Sequence, residues 1–344
     1  MKQTTDADDV RHIGRALDLS SLGPAVDTNP RVGAVVTDAA GTVVGEGFHH
    51  GAGHPHAEVE ALKVAGAAAR GGTAYVSLEP CNHTGRTGPC TEALIASGVA
   101  RVVFAQADPN PLASGGASRL RTQGINVTGG VLGDKASAIN RTWTHRVRTG
   151  RPFVTWKFAA TLDGRSAAPD GTSRWVTGAE ARADVHALRH RCGAVIVGTG
   201  TVLADDPQLT VRDPHGTHAA QPLRVIIGLR PLPATARVLD DEAPTLVLPT
   251  QDLRAAMAQL ARKGIHHALL EGGPTLAAAF LRAGLVDEVV AYVAPSLLGA
   301  GPSAVADLGI GTIADTLTLT PTDVTIFGID VRITATPQHR SEGH

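Results

Sequence analysis

The chain has 344 residues, 43% of them hydrophobic and 18% charged, with a formal net charge of −1. That length suits two cores better than one, and the balance is that of a globular protein. A near-neutral charge supplies no basic field for nucleic acid, three cysteines make no disulfide framework, and no run reaches the length of a membrane span, so the expectation is a cytoplasmic protein.

The first residues, Met1 to Asp6, lack an apolar signal core. From about Asp9 to Ser21 the pattern predicts a helix with Val10, Ile13, Ala16 and Leu17 on one face. Val32–Val36 and Val43–Phe48 read as a hairpin around Ala39, Ala40 and Gly41. His56 opens a helix through Ala69, Tyr75–Leu78 is a strand that ends in Glu79-Pro80-Cys81, and Pro89 starts the next helix, which carries Cys90. Arg101–Ala105, a helix near Ser114–Thr122 and Ile125–Val127 complete an alternating α/β pattern.

The chemistry concentrates in that stretch. One imidazole (His56), two thiols (Cys81, Cys90) and a carboxylate (Glu58) held back from the metal make the ligand set of a zinc deaminase. Zinc takes sulfur and nitrogen in a tetrahedron whose fourth position, in a catalytic site, is left to water. Glu58, two residues after His56, is read as the general acid/base. A closed structural site would need a fourth ligand, for which His83 is the nearest candidate in sequence, but such a site gives Glu58 no role. The loop from Asn82 to Pro89 is rich in glycine and polar donors, carries Arg86, and is far longer than the two-residue gap common in nucleobase deaminases.

A short basic segment, Arg146 to Pro152, separates a helical from a strand pattern. The expected boundaries are 1–148, 149–338 and a frayed tail at 339–344. Past the linker, Phe153–Phe158, Ala194–Val197, Leu223–Ile227, Leu246–Leu248, Ala268–Leu270, Val286–Val293 and Val324–Thr334 read as strands, the last with Ile329, Val331 and Ile333 alternating with Asp330, Arg332 and Thr334. Ala179–His190, Asp252–Arg262 and a segment ending at Arg282 read as helices. Two glycine turns, Gly198-Thr199-Gly200-Thr201 and Glu271-Gly272-Gly273-Pro274, each follow a strand and read as either structural turns or phosphate-binding ones. Cys192 reads as a small core residue.

The deaminase motif with its long loop resembles the bifunctional deaminase–reductases of riboflavin biosynthesis. In the second half the matching stretches are Lys157–Arg165, Ser173–Thr177, Gly200–Arg212 and Glu271–Leu276, so the similarity runs from about Asp8 to Thr336. It departs at Gly88, where the family usually has Pro, and at Gly116, where it usually has Arg between two glycines. The resemblance implies a cytidine-deaminase-like α/β/α layer domain followed by a dihydrofolate-reductase-like α/β domain that uses NADPH. It implies zinc on His56, Cys81 and Cys90, proton transfer by Glu58, and contacts to a phosphoribosyl pyrimidine from Asn29, His49, His83 and Arg86. In the second half it implies a catalytic Lys157, substrate contacts at Thr177, Arg189, Asp206, Leu209, Arg212 and Glu271, and cofactor contacts at Thr161, Asp163, Ser173, Trp175, Thr201, Asp205 and Gly273. It also implies self-association into a homo-oligomer. Two rival readings are a deaminase of another nucleobase with an unrelated appended domain, and an inactive zinc- and nucleotide-binding regulator.

Overall fold

The structure, a computed structural model, describes residues 6–83, 88–213, 216–217 and 221–338. Two compact units divide it, residues 1–150 and 151–344. The expectations for Arg86 and for the 339–344 tail lie outside the described residues.

The first unit opens with α1 (Ala7–Ser20), capped by the Asp6 side chain on the Asp8 amide. Ile13, Ala16 and Leu17 face inward as expected, but Val10 does not: it is 39% exposed while Asp9 is buried. Asp9 turns inward because both its carboxylate oxygens accept from Arg101 at 2.7 Å, and this partner offsets the cost of burying the charge. β1 (Gly33–Thr37) and β2 (Val43–Phe48) form the expected hairpin. α2 (Ala57–Ala65) follows, with His56 at its N-cap and a 3₁₀ turn over Gly66–Ala69. β3 (Thr73–Leu78) leads to α3 (Cys90–Ser97). Pro89 is the N-cap of α3, one position earlier than expected, because its backbone is still extended at ψ 137°. Then come β4 (Arg101–Gln106), α4 (Gly116–Thr122), β5 (Asn126–Gly129), α5 (Gly133–Ile139) and α6 (Arg141–Thr149).

The sheet order is β2-β1-β3-β4-β5, antiparallel across β1 and parallel from β3 to β5. Ile13, Ala16 and Leu17 of α1 and Ala136 of α5 cover one face. Ala57 and Ala61 of α2, Leu94 of α3, Leu120 of α4 and Trp143 of α6 cover the other. This is a three-layer α/β/α fold, and it sets the end of β3 beside the starts of α2 and α3.

The second unit runs β6 (Phe153–Thr161), α7 (Ala179–His190), β7 (Ala194–Gly198), α8 (Thr199–Asp205), the short ribbon β8 (Arg212–Asp213) and β9 (Gly216–Thr217), β10 (Leu223–Ile227), β11 (Thr245–Leu248), α9 (Leu253–Arg262), β12 (His267–Leu270), α10 (Pro274–Arg282), β13 (Glu288–Ala294), β14 (Leu319–Phe327) and β15 (Asp330–Pro337). The main sheet has the order β11-β10-β7-β12-β6-β13-β15-β14, parallel through β13 and closed by an antiparallel hairpin. α9 and α10 pack on one face and α7 on the other.

The single late strand expected over Val324–Thr334 is instead two strands. Gly328, at φ 63°, reverses the chain in the left-handed region that glycine tolerates. The alternation read there fails accordingly, since Ile329 is 74% exposed in the turn and Asp330 is buried. Cys192 is buried, as a core residue should be.

Candidate zinc and reductase sites

The candidate metal ligands come from three pieces of backbone: the N-cap of α2, the segment just after β3 and the first residue of α3. Nδ1 of His56 lies 3.1 Å from Sγ of Cys90 and 3.6 Å from Sγ of Cys81. All three donor atoms fall within 4.8 Å of one another. Tetrahedral zinc with ordinary Zn–S and Zn–N bonds needs ligand separations of about 3.5–3.8 Å, so the donor set fits the ion. The electrostatics fit as well. A hydrogen bond from the Cys90 thiol, with help from His56 against burial, brings Cys81 down to about 4. The same bond, burial and Glu58 push Cys90 up. Two thiols this close cannot both ionise unaided, and a dication between them removes that conflict. His83 is exposed and lines the adjoining cavity, and it is not among the clustered donors. Cys90→Ser should therefore lower bound zinc and deamination together, as measured by metal analysis and ammonia release, because a hydroxyl is a poor substitute for thiolate on this ion.

Glu58 lies in the first turn of α2, is buried, and is held above the usual carboxylate range by desolvation. With His56, Cys81, Asn29, His49 and His83 it lines a cavity of about 450 Å³. Nδ1 of His49 donates to the Pro55 carbonyl at 2.9 Å. Its Nε2 is left as an acceptor for the Asn29 amide at 3.0 Å, and burial lowers the pKa of the ring, favouring the neutral form.

Sequence reasoning passed over Asp108, Asn110, Trp143 and Arg146, which also line this cavity. Asp108-Pro109-Asn110-Pro111 was the available signal, since such a polar turn after a strand is where an α/β sheet binds ligands. Burial, with Glu79 and Cys81 nearby, pushes Asp108 up to about 6. Glu79 clamps this turn: its two oxygens accept from the backbone of Asp108 at 3.2 Å and of Ala117 at 2.9 Å. Gly116 is part of the same packing, because an added Cβ would collide with the Pro80 carbonyl oxygen. The position expected to lack an arginine thus has no room for any side chain, whereas a Cβ on Gly88 would meet nothing within 4 Å.

In the second unit, β12 pairs with β6 in the register Leu270↔Trp156, so Glu271 follows onto Lys157. Trp156 faces α9 and α10, which turns Lys157 toward α7 and Tyr292. Lys157 Nζ lies 3.9 Å from Glu271 Oε2. Arg189 of α7 donates two bonds to Glu271, at 2.5 and 2.9 Å, and a third to the Thr210 carbonyl at 3.1 Å. Burial would raise Glu271, yet Arg189 and then Lys157 outweigh it and hold the carboxyl at about 2. Burial, with Arg189, lowers the pKa of Lys157 against the pull of Glu271.

The two glycine turns meet: the Gly273 amide donates to Thr201 Oγ1 at 3.1 Å. Arg230, which the sequence did not single out, brings its guanidinium so close to Gly200 that a Cβ there would touch it. Backbone without side chains beside a cation is the donor set a phosphorylated cofactor requires. Asp205 accepts on its carbonyl from Arg174, which ties the Ser173–Thr177 segment to the end of α8. Trp175 is 69% exposed beneath the Arg182 guanidinium, and Ser173 and Thr177 are half-buried. Asp206 and Leu209 adopt φ of 40° and 57°, and the Asp206 carboxylate accepts from the Arg237 amide. Thr161 donates to Asp163, whose oxygens also accept from Leu298 and Gly299 and so pin the loop after β13. The Arg212 side chain is exposed.

A zinc-deaminase centre in one α/β unit and a buried Lys–Glu–Arg cluster beside paired glycine turns in the next define a two-unit deaminase–reductase. Residues 7–106 match the cytidine and deoxycytidylate deaminase zinc-binding region, and residues 152–333 match the RibD C-terminal domain. The chain belongs to the RibD family. It is 50% identical to the riboflavin biosynthesis protein RibD of Mycobacterium tuberculosis, over 84% of this chain and 85% of that protein. To RibD of Escherichia coli it is 43% identical, over 89% and 93%. The Acinetobacter baumannii RibD structure superposes with a TM-score of 0.88 at 40% identity, covering 96% of this chain and 99% of that one. A Thermotoga maritima structure described as a diaminohydroxyphosphoribosylaminopyrimidine deaminase/5-amino-6-(5-phosphoribosylamino)uracil reductase superposes with a TM-score of 0.87 at 32% identity, with the same coverage.

Proposed function

We propose that the chain catalyses two successive steps of riboflavin synthesis. Residues 1–148 hydrolyse the 2-amino group of a phosphoribosyl diaminopyrimidinone, and residues 149–338 reduce the ribosyl chain of the product to ribityl with NADPH. The observation that carries the reading is the cluster of His56, Cys81 and Cys90 beside buried Glu58, with His56, Glu58 and Cys81 lining one cavity. Zinc, when bound, lowers the pKa of a water so that a nucleophile exists at neutral pH. Glu58 would serve as the proton carrier, accepting a proton from water and delivering protons to the ring nitrogen and the departing amine. Asn29 is oriented by neutral His49 and reads the pyrimidine, while Asp108, on the other wall, is poised to accept from it. The second unit would hold NADPH, which when bound would supply the hydride for reduction of the ribosyl carbon. Lys157 places positive charge beside the reacting carbon, and Arg189 keeps Glu271 ionised and fixed next to it. Thr201, Gly273 and Arg230 suit the phosphates of the cofactor. Ammonia release without NADPH, and NADPH oxidation only once the deaminated product has formed, are the results expected from coupled turnover of the pyrimidine substrate. Ammonia release without any NADPH oxidation would leave a deaminase with an appended domain.

Among the described residues no helix is long and apolar enough to cross a membrane. Buried cysteines that form no disulfide suit a reducing cytoplasm. A homo-oligomer is supported by β14, the edge strand of the larger sheet: Val324 and Ile326 are 62% and 70% exposed, and Ile329 in the adjoining turn 74%. An open apolar edge is a pairing surface. Ile326→Asp should shift the protein to a smaller species in sedimentation at micromolar concentration. An unchanged mass would place the contact elsewhere.

A further inference from the structure

We propose that Asn140 is a positioning residue for the deamination, joining the two walls of the cavity so that Asn29 and Trp143 stand at fixed places. The inference rests on the reading of Asn29 as a substrate contact. Asn140 lies between α5 and α6 and is 4% exposed. Its Oδ1 accepts from the Arg31 amide at 2.9 Å, and its Nδ2 donates to the Arg31 carbonyl at 2.9 Å. A neighbouring strand would supply this same pair of bonds, but β1 begins only at Gly33, so the Arg31 backbone lies before the ladder. A carboxamide presents one donor and one acceptor side by side, and no other side chain of this reach does so in neutral form.

The side chain is not spent on its own helix. Asn140 is the N-cap of α6 and accepts the Thr144 amide on its backbone carbonyl at 2.8 Å, with no capping bond from its side chain. One wall of the cavity is carried by Asn29, Pro30 and Val32, and the other by Trp143, Arg146 and Val147. Asn140 is three residues before Trp143, and Arg31 two after Asn29, so the amide bridge lies at the root of both walls. A second tie, Gln106 Nε2 to Thr144 Oγ1 at 3.0 Å, holds α6 to β4 but does not touch the 28–32 segment. Neither bond of Asn140 involves a metal ligand or Glu58. Its loss should disturb how the substrate fits and leave the metal and the proton carrier in place.

The test compares Asn140→Ala, Asn140→Asp and Asn29→Ala in the full-length, zinc-loaded protein. Asn140→Ala should raise KM for deamination about tenfold, since both Arg31 backbone groups lose their buried partner, with kcat within about twofold. Zinc content and reduction of the deaminated substrate should stay at wild-type values. Asn140→Asp, which can still accept from the Arg31 amide but not donate to its carbonyl, should fall between. A wild-type KM in Asn140→Ala overturns the proposal, as does lower kcat or zinc at unchanged KM, which would mark an ordinary core residue. If Asn140→Ala does not fold, a wild-type KM in Asn140→Asp overturns it. If Asn29→Ala alone raises KM, only the positioning role falls. If Asn29→Ala also leaves KM unchanged, the reading of Asn29 falls with it.

Discussion

Glu58→Gln should retain zinc at the wild-type level while ammonia release falls by about 10²–10⁴-fold, the range expected when a general acid/base is removed. The side chain is buried, sits on the first turn of α2, and is not one of the three clustered donor atoms. Gln has the same shape and fills the same space, so packing around Ala57 and Ala61 should be undisturbed. What it cannot do is take a proton and return it. Because the packing is kept, the variant should melt close to the wild type, which separates lost chemistry from lost folding. Reduction of the already deaminated substrate should be unchanged, because Lys157 belongs to the other unit. Loss of zinc, or deamination at the wild-type rate, would remove Glu58 from the proton-carrying role.

The candidate metal cluster was legible because zinc restricts residue type, and proline and helix starts restrict the backbone beside it. His56, Cys81 and Cys90 lie close together in sequence, and local pattern sufficed. The second cluster was not legible in this way. Arg189, on α7, and Glu271 are 82 residues apart, and Lys157 meets Glu271 only through the register of β12 on β6, so resemblance rather than spacing pointed to them. The walls of the cavity were missed for a third reason. α6 presents Trp143 and Val147 in an otherwise polar run of Arg, Thr and His, a pattern too sparse in apolar residues to announce a buried face. The hairpin of β14 and β15 read as one strand because Gly328 is its one strong turn residue. In α1, the apolar period assigned Val10 to the core, and only Arg101, 92 residues away, explains why Asp9 lies there instead.

Lys157→Met should lower reductase turnover by about 10²–10³-fold, a magnitude typical for a single preorganised charge in a water-poor site. Methionine keeps the unbranched bulk of the side chain, so the contact with the Tyr292 ring loses its cation but not its packing. Glu271 should remain ionised in the variant, because Arg189 still donates both of its bonds and is the larger of its two cationic partners. The buried charge is therefore not orphaned, and the unit should fold. This makes Lys157 a cleaner probe than Arg189, whose removal would leave Glu271 with one cation at 3.9 Å and threaten the fold itself. Cofactor affinity, followed by fluorescence titration with NADPH, should change little, since Thr201, Gly273 and Arg230 are untouched. Deamination in the same full-length chain should proceed at the wild-type rate. A variant that still reduces the deaminated substrate normally would make Lys157 a packing residue. One that loses deamination in parallel would show that the two units do not act independently, and the division of labour between them would have to be redrawn.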